Sequence, residues 1–225
     1  VLKTAGYRTL MAGKWHLGWK EEGSPTARGF DRFYGTHGYV DSYFTVVPMT
    51  DVYLDNSLLI RAGETPVNHL HPDHTWYTTD VYTDYAIEFM KEARGHGLPF
   101  FLYLAYNAPH FPLHGREEDI LKYRDTYKRG WAAIRDERFG RMRSMGILRP
   151  EWTLSPPDFP SWASLTAQQR EDAAFRMSVY AAIVDRLDQN VGRVLSSLRE
   201  QGELDNTLVV FLSDNGGSSE TGLFG

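Results

Sequence analysis

The sequence predicts an α/β fold, a three-layer arrangement in which helices cover a mostly parallel central sheet. Three observations carry that prediction. Apolar runs of strand length lie at residues 7–11, 100–106 (FFLYLAY) and 207–213 (TLVVFLS). Segments with helical periodicity separate them. Each run also ends in polar residues: Lys14 and His16 after the first, Asn107 and His110 after the second, Asp214 and Asn215 after the third. Ligands of such folds gather beyond the carboxyl ends of the strands, so three distant stretches are expected to meet at one sheet edge.

The first strand leads into GKWHLGWKEEGSPTARGFDRFYGTHGYVDSYF, which holds too many glycines and turn formers for a helix and reads as a folded loop with aromatic anchors. Long structured loops of this kind carry function more often than not. A short hairpin follows, with DVYLD and LLIRAGE on either side of Asn56 and Ser57. Over residues 78–94, Val81, Tyr85, Phe89 and Ala93 recur about four apart, which predicts an amphipathic helix. Gly95 and Gly97 stop it, and the uninterrupted apolar run 100–106 then reads as a central strand covered on both faces. Polar helices are expected over 117–127 and 130–145, and a proline-rich surface excursion over 147–162. The longest helix, 166–201, should bury Phe175, Val179, Ile183, Val191, Val194 and Leu198.

Composition narrows the possibilities. The 225 residues are 42% hydrophobic and 24% charged, ordinary for a globular chain of one domain or one domain with a small appendage. A formal charge of −5 provides no general field for nucleic acid. The absence of cysteine removes disulfides, thiolate metal sites and a cysteine nucleophile from this stretch. No apolar run is long enough to span a bilayer, and the first residues lack the pattern of a signal peptide. They read as the last turn of a helix feeding a strand, so the chain is expected to begin inside a larger protein. Neither a Walker loop nor a dinucleotide fingerprint occurs, which argues against nucleotide-dependent chemistry.

Asp214 and Asn215 offer hard oxygen ligands, with Gly216 and Gly217 letting the backbone bend around them. Oxygen donors without cysteine suit calcium or magnesium better than zinc, although two ligands make no cage and SDNGG also reads as a plain turn. Lys14 is a point charge suited to a tetrahedral oxyanion. His16, two residues on, projects to the same side if the chain stays extended. Gly13 and Gly18 make room for a close ligand. In NAPHFPLH, His110 follows the strand end directly and can deliver a proton near neutral pH, and His114 lies further off. His69, His71 and His74 read as a solvated or substrate-rim loop, and Asp31 and Asp41 as loop braces. Trp15, Trp19, Phe30, Phe33 and Tyr34 read as the loop's own small core, and KRGWAAIRDERFGRMR as a solvated helix face.

GYRTLMAGKWHLG resembles the second signature of the type I, formylglycine-dependent sulfatases of the alkaline-phosphatase-like superfamily, arylsulfatases and the arylsulfatase B type in particular. The likeness continues through RGFDRFYG, TTDVYTDYAIEFM, FFLYLAYNAPHFPLH, YAAIVDRLDQNVGRVL and TLVVFLSDNGG in the family's order. It implies an alkaline-phosphatase-like sandwich, incomplete at both ends, with residues 1–225 as the central part of the catalytic domain. It implies hydrolysis of a sulfate ester, of a small molecule or a sugar, in which Lys14 and His110 bind the sulfate. His16 would bond the formylglycine hydroxyl, His110 would assist departure of the alcohol, and Asp214 and Asn215 would bind calcium, with magnesium as the alternative. The Cys/Ser-x-Pro-x-Arg element that a maturation enzyme converts to formylglycine is expected upstream of residue 1, so the segment alone should be inactive. By resemblance the setting is periplasmic or extracellular, with the cytoplasm open, and no nucleic-acid partner or membrane span is expected. Two other readings stand: a phosphatase, phosphodiesterase or phosphonate hydrolase of the same superfamily, and a noncatalytic domain that binds sulfated glycans. Substrate identity and oligomeric state are not legible.

Overall fold

The computed structural model describes residues 1–46 and 50–216. They divide into two compact units, one of Val1–His114 with Val184–Asp214, the other built on Gly115–Ile183.

The first unit holds a five-stranded sheet in the order β4-β3-β2-β1-β5. Its strands are β1 (Arg8–Lys14), β2 (Arg32–Thr36), β3 (Val52–Leu54), β4 (Ser57–Ile60) and β5 (Phe100–Ala105). β1 is central and runs parallel to β2 and to β5; β3 and β4 add an antiparallel extension beyond β2. The sheet is therefore mixed, with its parallel part confined to the three strands that lead toward the candidate site. The β3–β4 hairpin turns at Asp55 and Asn56, with Asp55 in the left-handed region (φ 55°), and Ser57 is already in the strand.

Helix α1 (Thr78–Gly95) covers one face. Val81, Tyr85, Ala86, Phe89 and Met90 pack against Leu10, Ala12 and Tyr34, and Tyr34 stacks on Tyr85 with centroids 3.5 Å apart. Helix α4 (Ala167–Glu200) brings Val194, Leu195 and Leu198 to the same core. Buried charge ties the two helices together. Arg186 donates twice to the Asp80 carboxylate, both bonds at 2.7 Å, and Asn190 Nδ2 adds a third at 2.7 Å. One turn along α1, Asp84 accepts from Arg193 and, at 2.6 Å, from Asn68. Paired in this way, carboxylates inside a helix contact are tolerable; with one partner removed they become a large penalty.

The second unit holds α2 (Glu117–Tyr123), α3 (Trp131–Ser144) and the first part of α4, with a small aromatic centre at the start of α3. Trp131 meets Trp162 and Phe159 edge to face and donates from Nε1 to the Pro160 carbonyl at 3.1 Å. No residue of α3 is fully buried, and most of its interleaved charged side chains are exposed, as predicted. No helix among the described residues is long and apolar enough to cross a membrane.

Four expectations are corrected. Residues 207–213 form no strand: no described strand pairs with them, and their side chains face solvent, Phe211 at 73% exposure. An apolar, β-branched run becomes a strand only where a ladder partner meets it. Among the described residues β5 is an edge strand rather than a central one, with Phe101 and Tyr103 exposed on one face. Phe175 is 53% exposed, outside the buried stripe of α4. Finally, β2 lies inside the stretch read as a loop.

Gly13 and Gly35 explain why RFYGT can pair there. Gly13 stands between Ala105 and Gly35 in register. A Cβ on Gly13 would lie 2.0 Å from the Ala105 carbonyl oxygen, and one on Gly35 would lie 1.9 Å from the Gly13 oxygen. Both residues have positive φ, 123° and 151°, which only glycine adopts readily. Gly13→Ala should therefore lower unfolding stability by at least ~2 kcal/mol. Gly192→Ala, in the middle of α4 with open space around it, should be neutral or stabilise by up to ~1 kcal/mol. Arg186→Ala, which deprives the buried Asp80 carboxylate of its charged partner, should cost about 3 kcal/mol. Urea unfolding midpoints check all three; equal midpoints for the two glycine variants would contradict the packing described.

Candidate functional site

Lys14 is the last residue of β1, opposite Thr36. The chain continues alongside the end of β2, with Trp15 N–H donating to the Thr36 carbonyl (2.9 Å) and His16 N–H to the His37 carbonyl (3.0 Å). It does not stay extended, so the condition under which Lys14 and His16 would project to the same side is not met. His16 adopts φ 55°, a left-handed conformation uncommon for a residue with a side chain. Such outliers persist where surrounding contacts impose them, and they concentrate at functional sites. The imidazole instead packs edge-on to Tyr39 (4.9 Å) and Trp19 (6.5 Å), while Lys14 Nζ lies 5.9 Å from the Tyr39 ring centre.

His110 approaches from β5. Its N–H donates to the Asn107 carbonyl at 2.8 Å, closing a turn directly after the strand. The buried Tyr43 hydroxyl donates to the His110 carbonyl at 2.9 Å and reaches the Asn107 carbonyl at 3.3 Å. Thr78, at the start of α1, donates to the Asn107 side-chain oxygen at 3.2 Å. The Asn107 amide nitrogen is buried with no partner among the described residues, a spare donor in the same turn. His110 Nδ1 meets the Phe111 carbonyl at 2.5 Å. A carbonyl can only accept, so Nδ1 carries the proton and Nε2 is left to exchange one.

Electrostatics link these groups. The His16 pKa lies below its ordinary 6.5, first through partial desolvation, then through the positive charge of Lys14 and that of the His110 imidazole. Lys14 and His110, from two separate stretches, thus both bear on His16 beyond the carboxyl ends of neighbouring parallel strands, and the lowered pKa favours the neutral imidazole.

Other expected residues play plainer roles. Gly13 makes room for the β5 backbone and Gly18 for that of Gly23, 3.0 Å from a Cβ, rather than for a ligand. His114 packs edge-on to Tyr43, its carbonyl accepts from Tyr77 at 3.0 Å, and burial lowers its pKa, which describes a neutral packing histidine. His69, His71 and His74 are exposed, with the last two stacked at 4.9 Å. Asp31 braces the loop by accepting from the Thr9 N–H (2.9 Å) and pairing with Lys3 (2.7 Å), whereas Asp41 is exposed. Of the aromatic set, Trp15 meets Phe30 and bonds the Gly23 carbonyl at 2.7 Å. Phe33 and Tyr34 belong to β2 and are buried in the sheet, and Trp19 stands exposed. The positioning roles of Tyr43 and Tyr77 were not legible, because they depend on where a distant turn lands.

Asp214 and Asn215 are exposed, and Asn215 Nδ2 bonds the Gly216 carbonyl at 2.8 Å. Gly217 lies outside the described residues. The carboxylate and amide oxygens are of the type that calcium or magnesium takes, but no group of three or more His, Asp or Glu able to hold a metal occurs among the described residues. The donor chemistry fits and the ligand count requires further oxygens.

Comparison with known proteins identifies the family. The Sulfatase family profile matches residues 1–224. An uncharacterized sulfatase of Schizosaccharomyces pombe is 36% identical across 96% of this chain and 40% of its own length. The arylsulfatase of Klebsiella aerogenes is 33% identical across 99% of this chain and 47% of its own. Among solved structures, Ps i-CgsB in complex with k-i-k-neocarrahexaose superposes with a TM-score of 0.65 at 26% identity, covering 98% of this chain and 40% of that one. The fold is shared with yidJ of Bacteroides fragilis, at a TM-score of 0.52 and 20% identity over 91% of this chain and 40% of that one. The chain therefore spans less than half the length of the relatives it matches. On the strength of the profile and the curated relatives, the chain belongs to the Sulfatase family.

Proposed function

We propose that the whole protein is a sulfuric ester hydrolase and that Lys14, His16 and His110 form the cationic part of its sulfate site. The observation that supports this is the placement of Lys14 at the end of β1 and of His110 in the turn after β5, both bearing on His16, whose pKa is lowered first by burial and then by their charge. Lys14 Nζ neutralises charge on a sulfuryl oxygen. The doubly protonated His110 donates from Nε2 to the departing alcohol oxygen while the Phe111 carbonyl holds Nδ1–H, which fixes the ring. His16, held in its left-handed turn, hydrogen-bonds the hydroxyl of the nucleophile.

By family likeness that nucleophile is a formylglycine made by a maturation enzyme from Cys or Ser in a Cys/Ser-x-Pro-x-Arg run. The 225 residues contain no cysteine and no Pro-x-Arg, so the element is assigned to chain outside them. Asp214 and Asn215 are proposed as two calcium ligands; when bound, the ion would supply charge stabilisation for the sulfuryl oxygens. The substrate is a sulfate ester, and the likeness to Ps i-CgsB, solved with a hexaose, favours a sugar ester over a simple alkyl one.

In the intact protein, Lys14→Ala and His110→Ala should each lower sulfate-ester kcat/KM about 10²-fold or more while thermal unfolding stays near that of the parent. The His110 loss should be larger for an alkyl sulfate than for a nitrophenyl sulfate, whose leaving oxygen needs no proton. Folded variants with rates within a few fold of the parent would remove these residues from the chemistry. The His16 imidazole, followed by NMR, should titrate below 6.5 and move upward in both variants, since each removes a source of positive potential. Inorganic sulfate should accordingly bind more tightly as pH falls through the His16 pKa, because protonation then adds a charge that the anion favours.

A further inference from the structure

The loop after β1 exposes apolar rings in an unusual place. Trp19 is 56% exposed and Tyr39 52%, whereas Trp15 and Phe30 in the same stretch are half-buried and Phe33, Tyr34 and Tyr43 are buried. Their centroids are 6.1 Å apart and the rings are tilted by 42°. Both touch His16, and Tyr39 also lies beneath Lys14 Nζ.

These rings are held in place. The benzene end of Trp19 rests directly on Gly38: a Cβ there would fall 1.7 Å from Trp19 Cη2 and 2.1 Å from Cζ3. Gly38 is buried and its backbone lies outside the left-handed region, so its lack of a side chain serves the indole rather than a turn. Tyr39 follows it directly in the chain, which places its ring beside the seated indole. Trp15 in the same loop shows the alternative: it turns inward, meets Phe30 and satisfies its N–H on the Gly23 carbonyl. A ring needed only for packing would be expected to follow Trp15.

We infer that Trp19 and Tyr39 form an aromatic shelf that receives the ring of a ring-bearing alcohol, aryl or pyranose, whose sulfate is held at Lys14. This rests on the sulfate-site reading above and adds the substrate class for the part of the ester beyond sulfur. Both sources present a flat face of polarised C–H bonds or π electrons that stacks on indole and phenol. An anion at Lys14 places the attached alcohol within reach of the Tyr39 ring, which lies against the same amine. A short alkyl sulfate offers no such face. The shelf therefore discriminates by ring contact, and sulfate alone does not engage it.

The test compares affinities in the intact protein for phenyl sulfate, a monosulfated pyranose and inorganic sulfate, measured by calorimetry. The Trp19 indole N–H is followed by NMR. At least one ring-bearing ester should bind tenfold or more tightly than inorganic sulfate, and the tighter of the two identifies the alcohol as aryl or pyranose. That ratio should fall at least fivefold in Trp19→Ala and in Gly38→Ala, which displaces the indole without deleting it. Trp19→Phe, which keeps a ring face, should recover most of it. A ratio unchanged in Trp19→Ala and Gly38→Ala would overturn the shelf, as would a parent ratio near one. If inorganic sulfate fails to bind the parent, the anion site is wrong. The shelf is then judged on phenol and methyl glucoside alone: one of them must shift the Trp19 indole signal and lose affinity in Trp19→Ala, and failure of both would overturn it.

Discussion

The arrangement depends on a row of small residues across the carboxyl ends of three parallel strands. Ala105, Gly13 and Gly35 stand side by side in register, and the gaps between them are too narrow for a Cβ. Close approach at this height lets β1 pair with β5 as far as Gly13 and with β2 up to its last residue. Lys14 therefore emerges from a fixed point rather than from a frayed end. The chain beyond it runs beside the end of β2 for two more residues before His16 turns it. A glycine row thus has a consequence in charge: it sets where an amine and an imidazole are delivered.

The second constraint lies beneath the sheet. Asp80 and Asp84, one turn apart on α1, meet Arg186, Asn190 and Arg193 on α4. Each buried carboxylate is satisfied by several donors, so the contact has one sharply preferred register; an apolar contact of equal area would allow more sliding. Thr78, two residues before Asp80, bonds Asn107, and Asn107 opens the turn that carries His110. Locking the start of α1 in place therefore also fixes the turn after β5. Tyr43 completes this support by holding the carbonyls of Asn107 and His110.

Much of this was legible in the sequence, for identifiable reasons. The helix at 78–94 carries its periodicity openly, and the structure places it at Thr78–Gly95. Lys14 and His110 follow apolar runs, and local polarity switches of that sort survive folding. What was not legible depends on distant partners. β2 is five residues long and contains a glycine, so its strand character comes from Gly13 and Gly35 fitting together rather than from propensity. Residues 207–213 have the propensity but no ladder among the described residues, which is the converse case. The turn at His16 escaped because a histidine in the left-handed region leaves no mark on composition. Nothing local marks Asp80 and Asp84 as buried; their burial is decided by arginines more than a hundred residues away.

The central claim is that Lys14, His16 and His110 surround one anion. Titrating the intact protein with inorganic sulfate while following the ring resonances of both histidines tests it most directly. The account predicts that the two imidazoles shift together along a single saturation curve, and that Lys14→Ala weakens that curve for both. Two different apparent affinities, or a response of one imidazole without the other, would contradict it.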